Sequence, residues 1–244
     1  MEEITTLQRW VEESSRIVAF TGAGCSTESG LPDFRSQDGL YRQQSASPPE
    51  EIDTHHFFVE NPAEFFRFYR EKMLMPSAQP NPAHRKLAEL EAAGRLTAVI
   101  TQNIDGLHQK AGSKKVLELH GSVLRNYCQK CLKSYGVETI LESEGIPRCS
   151  CGGIIKPDVV LYEESLDSRT LQEAVRQIAA ADLLIVGGTS LAVYPAAGLV
   201  DYFQGRHVVV INRTATPLDR RADLVIQGSI GQVLGQIQVG EDRA

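Results

Sequence analysis

Short apolar runs that end in glycine or small polar residues recur along the chain and alternate with segments of helical periodicity. The runs lie at residues 16–20, 96–100, 116–119, 183–186, 208–211 and 224–226. Because each is short, continuous and rich in β-branched side chains, each predicts a buried strand. Strands that alternate with helices form a parallel sheet with helices on both faces. The sequence therefore predicts an α/β fold with a doubly wound, mainly parallel, Rossmann-like sheet.

Residues suited to a large polar ligand follow five of these runs, at positions 22–26, 102–105, 120, 187–190 and 212. Ligands of open α/β sheets bind outside the carboxyl ends of the strands, so we expect these segments to converge on one site. Two neighbouring segments contribute an amide, a carboxylate and an imidazole from Asn103, Asp105 and His120. This convergence favours a dinucleotide as the ligand. The alternative is that Asn and Asp only cap loops and that the histidine lies on the surface.

A Gly-x-Gly turn opens the segment 21–35, TGAGCSTESGLPDFR. Gly22 and Gly24 allow a phosphate to approach the backbone, and the start of a helix after them would present N–H groups to the anion. The full dinucleotide fingerprint is missing, because Thr27 stands where its third glycine belongs and no acidic residue follows at the required distance. Cys25 lies in this loop, and we interpret it as a small packing residue rather than a reactive thiol.

Four of the five cysteines form two close pairs, Cys128 with Cys131 and, 17 residues later, Cys149 with Cys151. Paired cysteines at this separation predict a zinc ribbon, whereas the alternative is four unrelated buried cysteines. Four thiolates leave no open position for water, so the zinc would be structural rather than catalytic. Grouped cysteines, together with an acidic amphipathic start unlike a signal peptide, indicate a cytoplasmic protein.

The segments between these motifs divide the chain into three parts. Residues 36–82 are too long for a βα connection and carry many phenylalanines, which predicts an inserted module with two short helices. Residues 122–157 form the zinc-ribbon module. Residues 1–35, 83–121 and 158–244 form the Rossmann-like domain.

The formal net charge of −6 and the pI of about 5.6 argue against a nucleic-acid-binding protein. The most apolar region, residues 178–200, is interrupted by a charge, glycines and a proline, which excludes a membrane span. A dehydrogenase is disfavoured by the incomplete fingerprint.

Several motifs together resemble the sirtuin family of NAD-dependent protein lysine deacylases, in its compact bacterial or archaeal form. They are GAGCSTESGLPDFR, TQNIDGLHQKAG, LELHGS, the four cysteines, GGTSLAVYPAA and the Val-Ile-Asn that ends at Asn212. The resemblance covers nearly the whole chain in order. It implies NAD and zinc as cofactors and acetylated lysine in proteins or peptides as the partner, with nicotinamide, O-acetyl-ADP-ribose and free lysine as products. The alternative is a protein mono-ADP-ribosyltransferase that uses the same NAD pocket.

The resemblance also implies a role for individual residues. His120 would be the general base, and Asp105 would hold the nicotinamide carboxamide. The NAD-contacting residues would be Gly22, Ala23, Gly24, Thr27, Phe34, Arg35, Gln102, Asn103, Ile104, Asp105, Gly188, Thr189, Ser190, Asn212, Ser229 and Ile230. Val159, Val160, Leu161 and Tyr162 form an apolar run that predicts an edge strand, and the substrate peptide would add to it as a further β-strand. Zinc would be bound by Cys128, Cys131, Cys149 and Cys151.

Two positions depart from the pattern of the family. Glu163 replaces the usual glycine after the peptide-binding strand, which would change how the peptide enters and would favour basic flanking residues. Relatives that prefer acidic acyl groups carry a Tyr-x-x-Arg pair, whereas the aligned residues here are Phe66 and Tyr69.

Without that arginine, we predict deacetylation over desuccinylation, because a buried succinyl carboxylate would be left without a partner. Steady-state kinetics on one peptide that carries either acyl group would measure the preference. The same peptide with unmodified lysine serves as the control. A higher kcat/KM for succinyl-lysine would contradict the prediction.

Overall fold

The computed structural model describes residues 2–33, 39 and 48–240. Its main sheet has six strands in the order β3-β2-β1-β7-β8-β9, and every neighbouring pair is parallel. A second, antiparallel sheet has the order β5-β4-β6. The strands are β1 Ile17–Thr21, β2 Leu96–Thr101, β3 Val116–Glu118, β4 Gly121–Cys128, β5 Ser134–Gly136, β6 Ile155–Val159, β7 Leu183–Gly187, β8 His207–Asn212 and β9 Leu224–Gln227.

Short α-helices connect these strands. They are α1 Glu2–Glu13, α2 Pro49–Ile52, α3 His55–Glu60, α4 Pro62–Phe68, α5 Pro82–Ala92, α6 Leu107–Lys110, α7 Glu138–Leu141, α8 Ser168–Ala180 and α9 Ile230–Leu234. Short helices of other types lie at Ala23–Cys25, Thr27–Ser29, Ala196–Tyr202 and Pro217–Arg220 (3₁₀) and at Tyr69–Met73 (π). The predicted doubly wound, mainly parallel sheet with a small ribbon sheet is confirmed.

Apolar side chains cover both faces of the main sheet. On one face, α1, α5 and α9 pack their apolar residues against alternate residues of the strands, for example Leu7, Leu87 and Leu234. On the other face, α8 and the turn at Ala196–Tyr202 pack in the same way. Because both faces are covered, the central strands are buried along their whole length, which explains their continuous apolar sequences.

The carboxyl ends of the central strands lie level with one another. Thr21 pairs with both Thr101 and Gly187, and Gly187 pairs with Ile211. The chain leaves β1 toward β2 on one side, while β7 lies on the other side of β1. The order of the strands therefore reverses between β1 and β7, and a crevice opens at such a point.

The loops after β1 and β7 cross this point in close contact. The Gly24 amide donates to the Gly188 carbonyl at 2.8 Å. A Cβ on Gly24 would lie 2.9 Å from that oxygen, and one on Gly188 would collide with the Cys25 backbone nitrogen. Gly188 also has φ +61, which favours glycine. The contact therefore requires the absence of side chains on both loops.

A third apolar cluster joins the aromatic helices to the ribbon. Phe58, Phe65, Phe66 and Tyr69 pack on one another, with ring centroids 5.0–5.9 Å apart. The same cluster contains ribbon residues such as Ile155. The inserted helices and the small sheet therefore share one core.

Three local expectations are wrong. The segment 48–73 contains three α-helices and a π turn rather than two helices, because Thr54 caps α3 and Pro62 starts a separate helix. The glycine loop continues into 3₁₀ turns and not into an α-helix.

The third concerns Val159, Val160, Leu161 and Tyr162, which do not form a strand of their own. Val159 is the last residue of β6, and the Tyr162 amide and carbonyl bond to Asp53 and His55 next to the aromatic helices. Among the described residues, no helix is long and apolar enough to cross a membrane.

Candidate active site and zinc centre

A cavity of about 520 Å³ runs along the carboxyl edge of the main sheet. Phe34 and Arg35 lie outside the described residues. The structure brings all the other predicted NAD and peptide residues to the wall of this cavity. They are Gly22, Ala23, Gly24, Thr27, Gln102, Asn103, Ile104, Asp105, His120, Val159, Val160, Leu161, Tyr162, Gly188, Thr189, Ser190, Asn212, Ser229 and Ile230. The volume is within the range of small-molecule sites.

His120 follows β3 and has a defined tautomer. Its Nδ1 lies 3.0 Å from the Gln102 carbonyl oxygen, which can only accept a hydrogen bond. Nδ1 therefore carries the proton, and Nε2 is left as the basic atom. Burial lowers the pKa of His120 below its ordinary value, while the bond to Gln102 partly opposes that shift. Hence the imidazole is neutral at neutral pH and can accept a proton at Nε2.

Asp105 is held at both carboxylate oxygens. Oδ1 accepts from the Leu107 amide at 2.8 Å, and Oδ2 accepts from the Ser26 hydroxyl at 2.7 Å. Burial raises the pKa of Asp105, whereas these two bonds favour its ionised form and lower the pKa. The carboxylate is therefore oriented at the cavity wall before any ligand binds.

The other end of the cavity is lined by amide and hydroxyl groups from β7, β8 and the start of α9. Gln102 donates to the Thr189 hydroxyl at 2.9 Å, which links the β2 and β7 loops. The Asn212 amide donates to the Thr214 carbonyl at 2.9 Å, and Arg213 Nε donates to the Ser229 hydroxyl at 3.0 Å. These bonds fix the orientation of hydrogen-bonding groups on the loops that line this end of the cavity.

Glu163 adopts φ +75, which is unusual for a residue with a side chain. Its carboxylate accepts from the His56 amide at 2.9 Å, in the first turn of α3. The left-handed backbone explains why a glycine suits this position, and the bond to His56 offsets part of the strain. Because the α3 backbone holds this side chain, its carboxylate is fixed next to residues 159–162, where the peptide is predicted to bind.

A partly buried ion pair between Lys156 and Glu164 bonds to the backbone of residues 159 and 161. Lys156 Nζ lies 3.2 Å from Glu164 Oε2 and donates to the Val159 carbonyl at 2.9 Å. Glu164 also accepts from the Leu161 amide at 3.0 Å. Asp53 lies nearby on the cavity wall, where burial and the charge of Glu164 raise its pKa to about 7.

Sequence reasoning missed Asp53, Lys156 and Glu164 as site residues and placed Ser26 there only as the end of the glycine loop 22–26. Ser26 lies inside the glycine-loop motif, so its position in the loop was a usable signal. The other three lie in the predicted helical module, in the predicted ribbon module and just after Tyr162, and only their packing brings them together.

The four ribbon cysteines bring their Sγ atoms together, all within 4.8 Å of one another. The Cys128–Cys151 and Cys131–Cys149 Sγ distances are 3.4 and 3.6 Å. Tetrahedral zinc with Zn–S bonds of about 2.3 Å separates its sulfurs by roughly 3.7 Å. The donor set therefore fits zinc closely.

Gly153 explains the narrow second knuckle, because a Cβ there would lie 2.6 Å from Cys128 Sγ. The cluster begins at Cys128, the last residue of β4, and none of its cysteines lines the cavity. A metal held there would connect the two knuckles without contact with bound substrate.

The switch-point cavity and the four-thiolate cluster together define a nucleotide-binding α/β protein with a structural zinc centre. A family model described as the Sir2 family matches residues 22–195, and the chain belongs to this family. An NAD-dependent protein deacetylase of Clostridium acetobutylicum is 56% identical over 238 residues, which cover 96% of this chain and 97% of that protein. Another, from Cutibacterium acnes, is 56% identical over 234 residues, which cover 95% and 96%.

Solved structures agree with this assignment. A structure described as "Sir2-p53 peptide-NAD+" matches with a TM-score of 0.84 at 42% identity, covering 95% of each chain. Another, described as "Structural Basis for the Mechanism and Regulation of Sir2 Enzymes", matches with a TM-score of 0.87 at 44% identity, covering 96% of each chain.

The zinc site predicts different outcomes for two cysteine substitutions. Cys131→Ser removes one of four ligands and should lower bound zinc, because a structural zinc contributes directly to folding. We expect Tm to fall by roughly 10 °C, since each kcal/mol corresponds to about 2–4 °C in a chain of this size. Metal analysis and calorimetry measure both effects. Cys25→Ser, outside the cluster, should retain zinc; equal zinc content in the two variants would contradict the assignment.

The tautomer of His120 predicts the acid limb of the pH profile. Because burial lowers the pKa of His120 below its ordinary 6.5, Nε2 stays unprotonated at pH 7 and is protonated only at more acidic pH. We expect kcat/KM for an acetyl-lysine peptide to be flat near pH 7 and to fall with a midpoint below 6.5. Initial rates between about pH 5 and 8 measure this, with thermal stability at each pH as the control. A midpoint above 6.5 would contradict it.

Proposed function

We propose that the protein removes acetyl groups from lysine side chains of proteins in an NAD-dependent reaction, giving nicotinamide, O-acetyl-ADP-ribose and free lysine. The observation that carries the proposal is the unprotonated Nε2 of His120 in the same cavity as the oriented carboxylate of Asp105. The names of the similar bacterial proteins support it.

The cavity can hold NAD along the whole carboxyl edge of the sheet. Its continuous lining from the glycine loop to Ser229 and its volume of about 520 Å³ suit a dinucleotide in extended form. NAD, when bound, would supply an anomeric carbon that exchanges nicotinamide for the acetyl oxygen and a ribose hydroxyl that receives the acetyl group, and one water is consumed as lysine is freed. Backbone amides near Gly24 would face the pyrophosphate, and Thr189, Ser190, Asn212, Ser229 and Ile230 would hold the adenosine half.

Asn103 and Asp105 would bind the nicotinamide end. The Asp105 oxygens each accept one bond from the protein, and each keeps a further lone pair for the amide of the ligand. A fixed acceptor orients the ring without reorganisation during the reaction. Ile104, between them in sequence and also on the cavity wall, adds an apolar surface that excludes water.

His120 would then act as the general base. Nε2 accepts the proton of a ribose hydroxyl, while Nδ1–H stays bonded to the Gln102 carbonyl and stabilises the imidazolium that results. The fixed Nδ1–H bond keeps the ring in a single orientation. The same bond links the base to β2, the strand that leads into Asn103 and Asp105.

The peptide would lie along residues 159–162, which line the same cavity as the glycine loop. The Val159 carbonyl is used by Lys156 and the Tyr162 amide and carbonyl by the helical module. The Val160 amide donates to the His120 carbonyl, and Leu161 bonds Glu164 through both its amide and its carbonyl. A substrate strand would therefore pair mainly with the Val160 carbonyl. This short pairing places the weight of recognition on the acyl-lysine itself and on charges nearby, such as Glu163.

The cytoplasm is the compartment we propose. All five cysteines are free thiols, and four of them form the zinc cluster, as expected for a reducing environment.

Substitution of His120 by alanine tests the proposed function. Mass spectrometry of an acetyl-lysine peptide should show acetyl loss only with NAD, with one nicotinamide released per acetyl group. In His120→Ala the loss should slow by about 10²–10⁴-fold, the usual effect of removing a positioned base. A peptide with unmodified lysine is the control. Nicotinamide release while the acetyl group stays would instead indicate ADP-ribosyl transfer or NAD hydrolysis.

A further inference from the structure

A buried cluster of Cys25, His84 and His108 lies behind the glycine loop and is not part of the proposed machinery. Their potential ligand atoms lie within 4.8 Å of one another, and all three side chains are buried. The two imidazole rings meet edge to face, with centroids 4.7 Å apart. Such a group could be a metal site or a hydrogen-bonding array, and the protonation state of His84 distinguishes them.

The hydrogen bonds of His84 argue against a metal. The Asn81 backbone amide donates to His84 Nδ1 at 3.2 Å, so this nitrogen carries a lone pair. Burial lowers the pKa of His84 to about 4, which keeps the ring neutral with its one proton on Nε2. Burial also raises the pKa of the Cys25 thiol. Neither atom therefore offers a lone pair or a thiolate to a metal at neutral pH.

The proton on His84 Nε2 points instead to the active site. Ser26 Oγ lies 3.4 Å from Nε2, closer than Cys25 Sγ at 4.0 Å, and oxygen is the stronger acceptor. Asn103 Nδ2 also donates to Ser26 Oγ, at 3.0 Å. A hydroxyl accepts at two lone pairs and donates one proton. Both lone pairs are occupied, so the Ser26 proton goes to Asp105 Oδ2 at 2.7 Å.

We propose that His84 is a positioning residue of the deacetylation reaction: its Nε2–H occupies one lone pair of Ser26 Oγ and so directs the Ser26 proton to Asp105. The inference rests on the proposed function, because Asp105 matters only if it holds the nicotinamide amide. His84 itself makes no contact with the cavity, since it is not among the residues that line it. It therefore acts through Ser26.

The array predicts an effect on Asp105 that a purely structural residue would not have. The bond from Ser26 lowers the pKa of Asp105, and the other titratable groups around this carboxylate, Glu118 and Cys25, are unchanged when His84 is replaced. If Ser26 is free to rotate, part of that bond is lost and the pKa of Asp105 rises. The carboxylate would then be protonated at a higher pH.

Two substitutions of His84 separate its two hydrogen bonds. In His84→Asn, the short amide can still accept from the Asn81 amide and cap α5, but it does not reach Ser26. In His84→Gln, the longer side chain places an amide N–H near the position of Nε2. The two variants therefore differ in the bond to Ser26. His207→Asn, at the amino end of β8, is a control for loss of a half-buried imidazole far from the cavity.

The readout is exchange of labelled nicotinamide into NAD in the presence of acetyl-lysine peptide, a step that precedes the use of His120 as a base. His84→Asn should lower kcat/KM for NAD about tenfold, the usual weight of a hydrogen bond to a charged group, and leave KM for the peptide unchanged. The acid limb of exchange should move to higher pH. His84→Gln should recover most of the rate, and His207→Asn should match wild type.

A double-substitution cycle tests the route through Ser26. In a Ser26→Ala background, His84→Asn should cause no further loss of exchange, because the hydroxyl that it positions is gone. Additive losses, equal rates for His84→Asn and His84→Gln, or an unmoved acid limb would overturn the inference. If His84→Asn does not fold, as judged by its Tm, the test uses His84→Gln alone. This variant should keep most of the wild-type exchange rate and the wild-type acid limb, and loss of either would overturn the inference. Absence of exchange in wild type would overturn the proposed function as well, which distinguishes the two failures.

Discussion

The close contact between the loops after β1 and β7 is the constraint on which the rest of the site depends. These strands are neighbours in the sheet but are separated by more than 150 residues of sequence. The bond between the Gly24 amide and the Gly188 carbonyl joins their loops at the point where strand order reverses. Side chains at either position would separate the loops. The contact divides the cavity into a side near β2 and β3, where we propose that nicotinamide binds, and a side near β8 and β9, where we propose that adenosine binds.

Around this point, burial and hydrogen bonds determine the pKa values and the orientations of the ionisable groups. His120 is kept neutral and oriented by one carbonyl, and Asp105 is oriented by one amide and one hydroxyl. Burial thus shifts the pKa values of His120 and Asp105 in opposite directions, and the hydrogen bonds of each residue oppose part of its shift. Pairs of groups tuned in this way are typical of active sites. The zinc cluster does not line this cavity, and its Cys128 and Cys149 belong to the core that the ribbon and the aromatic helices share.

Much of this architecture could be predicted from the sequence, for physical reasons that the structure makes visible. The strands of the main sheet are buried on both faces, so they are short continuous apolar runs that are readily recognised. Their level carboxyl ends then require Gln102, His120, Gly188 and Asn212 to meet. The zinc site could be predicted from the cysteines alone, because two close pairs at this separation in sequence are typical of a four-thiolate metal site.

Other features depend on tertiary contacts that leave no periodic signal. Residues 160–162 read as a strand, but Glu164 and Asp53 take their backbone hydrogen bonds. The buried partners Lys156 and Asp53 lie in segments that otherwise suit the surface. His84 reads as an ordinary helix residue, and only the packing of α5 against the glycine loop places it beside Ser26.

A crystal structure of the protein with NAD and an acetyl-lysine peptide tests the central claim most directly. The account predicts the nicotinamide ring between Asp105 and His120, the pyrophosphate over the contact between the β1 and β7 loops, and the adenosine beside Asn212 and Ser229. The acetyl-lysine should extend from residues 159–162 toward the anomeric carbon, with His120 Nε2 within hydrogen-bonding distance of a ribose hydroxyl. NAD bound in the reverse direction, or with its ribose out of reach of His120, would contradict the account.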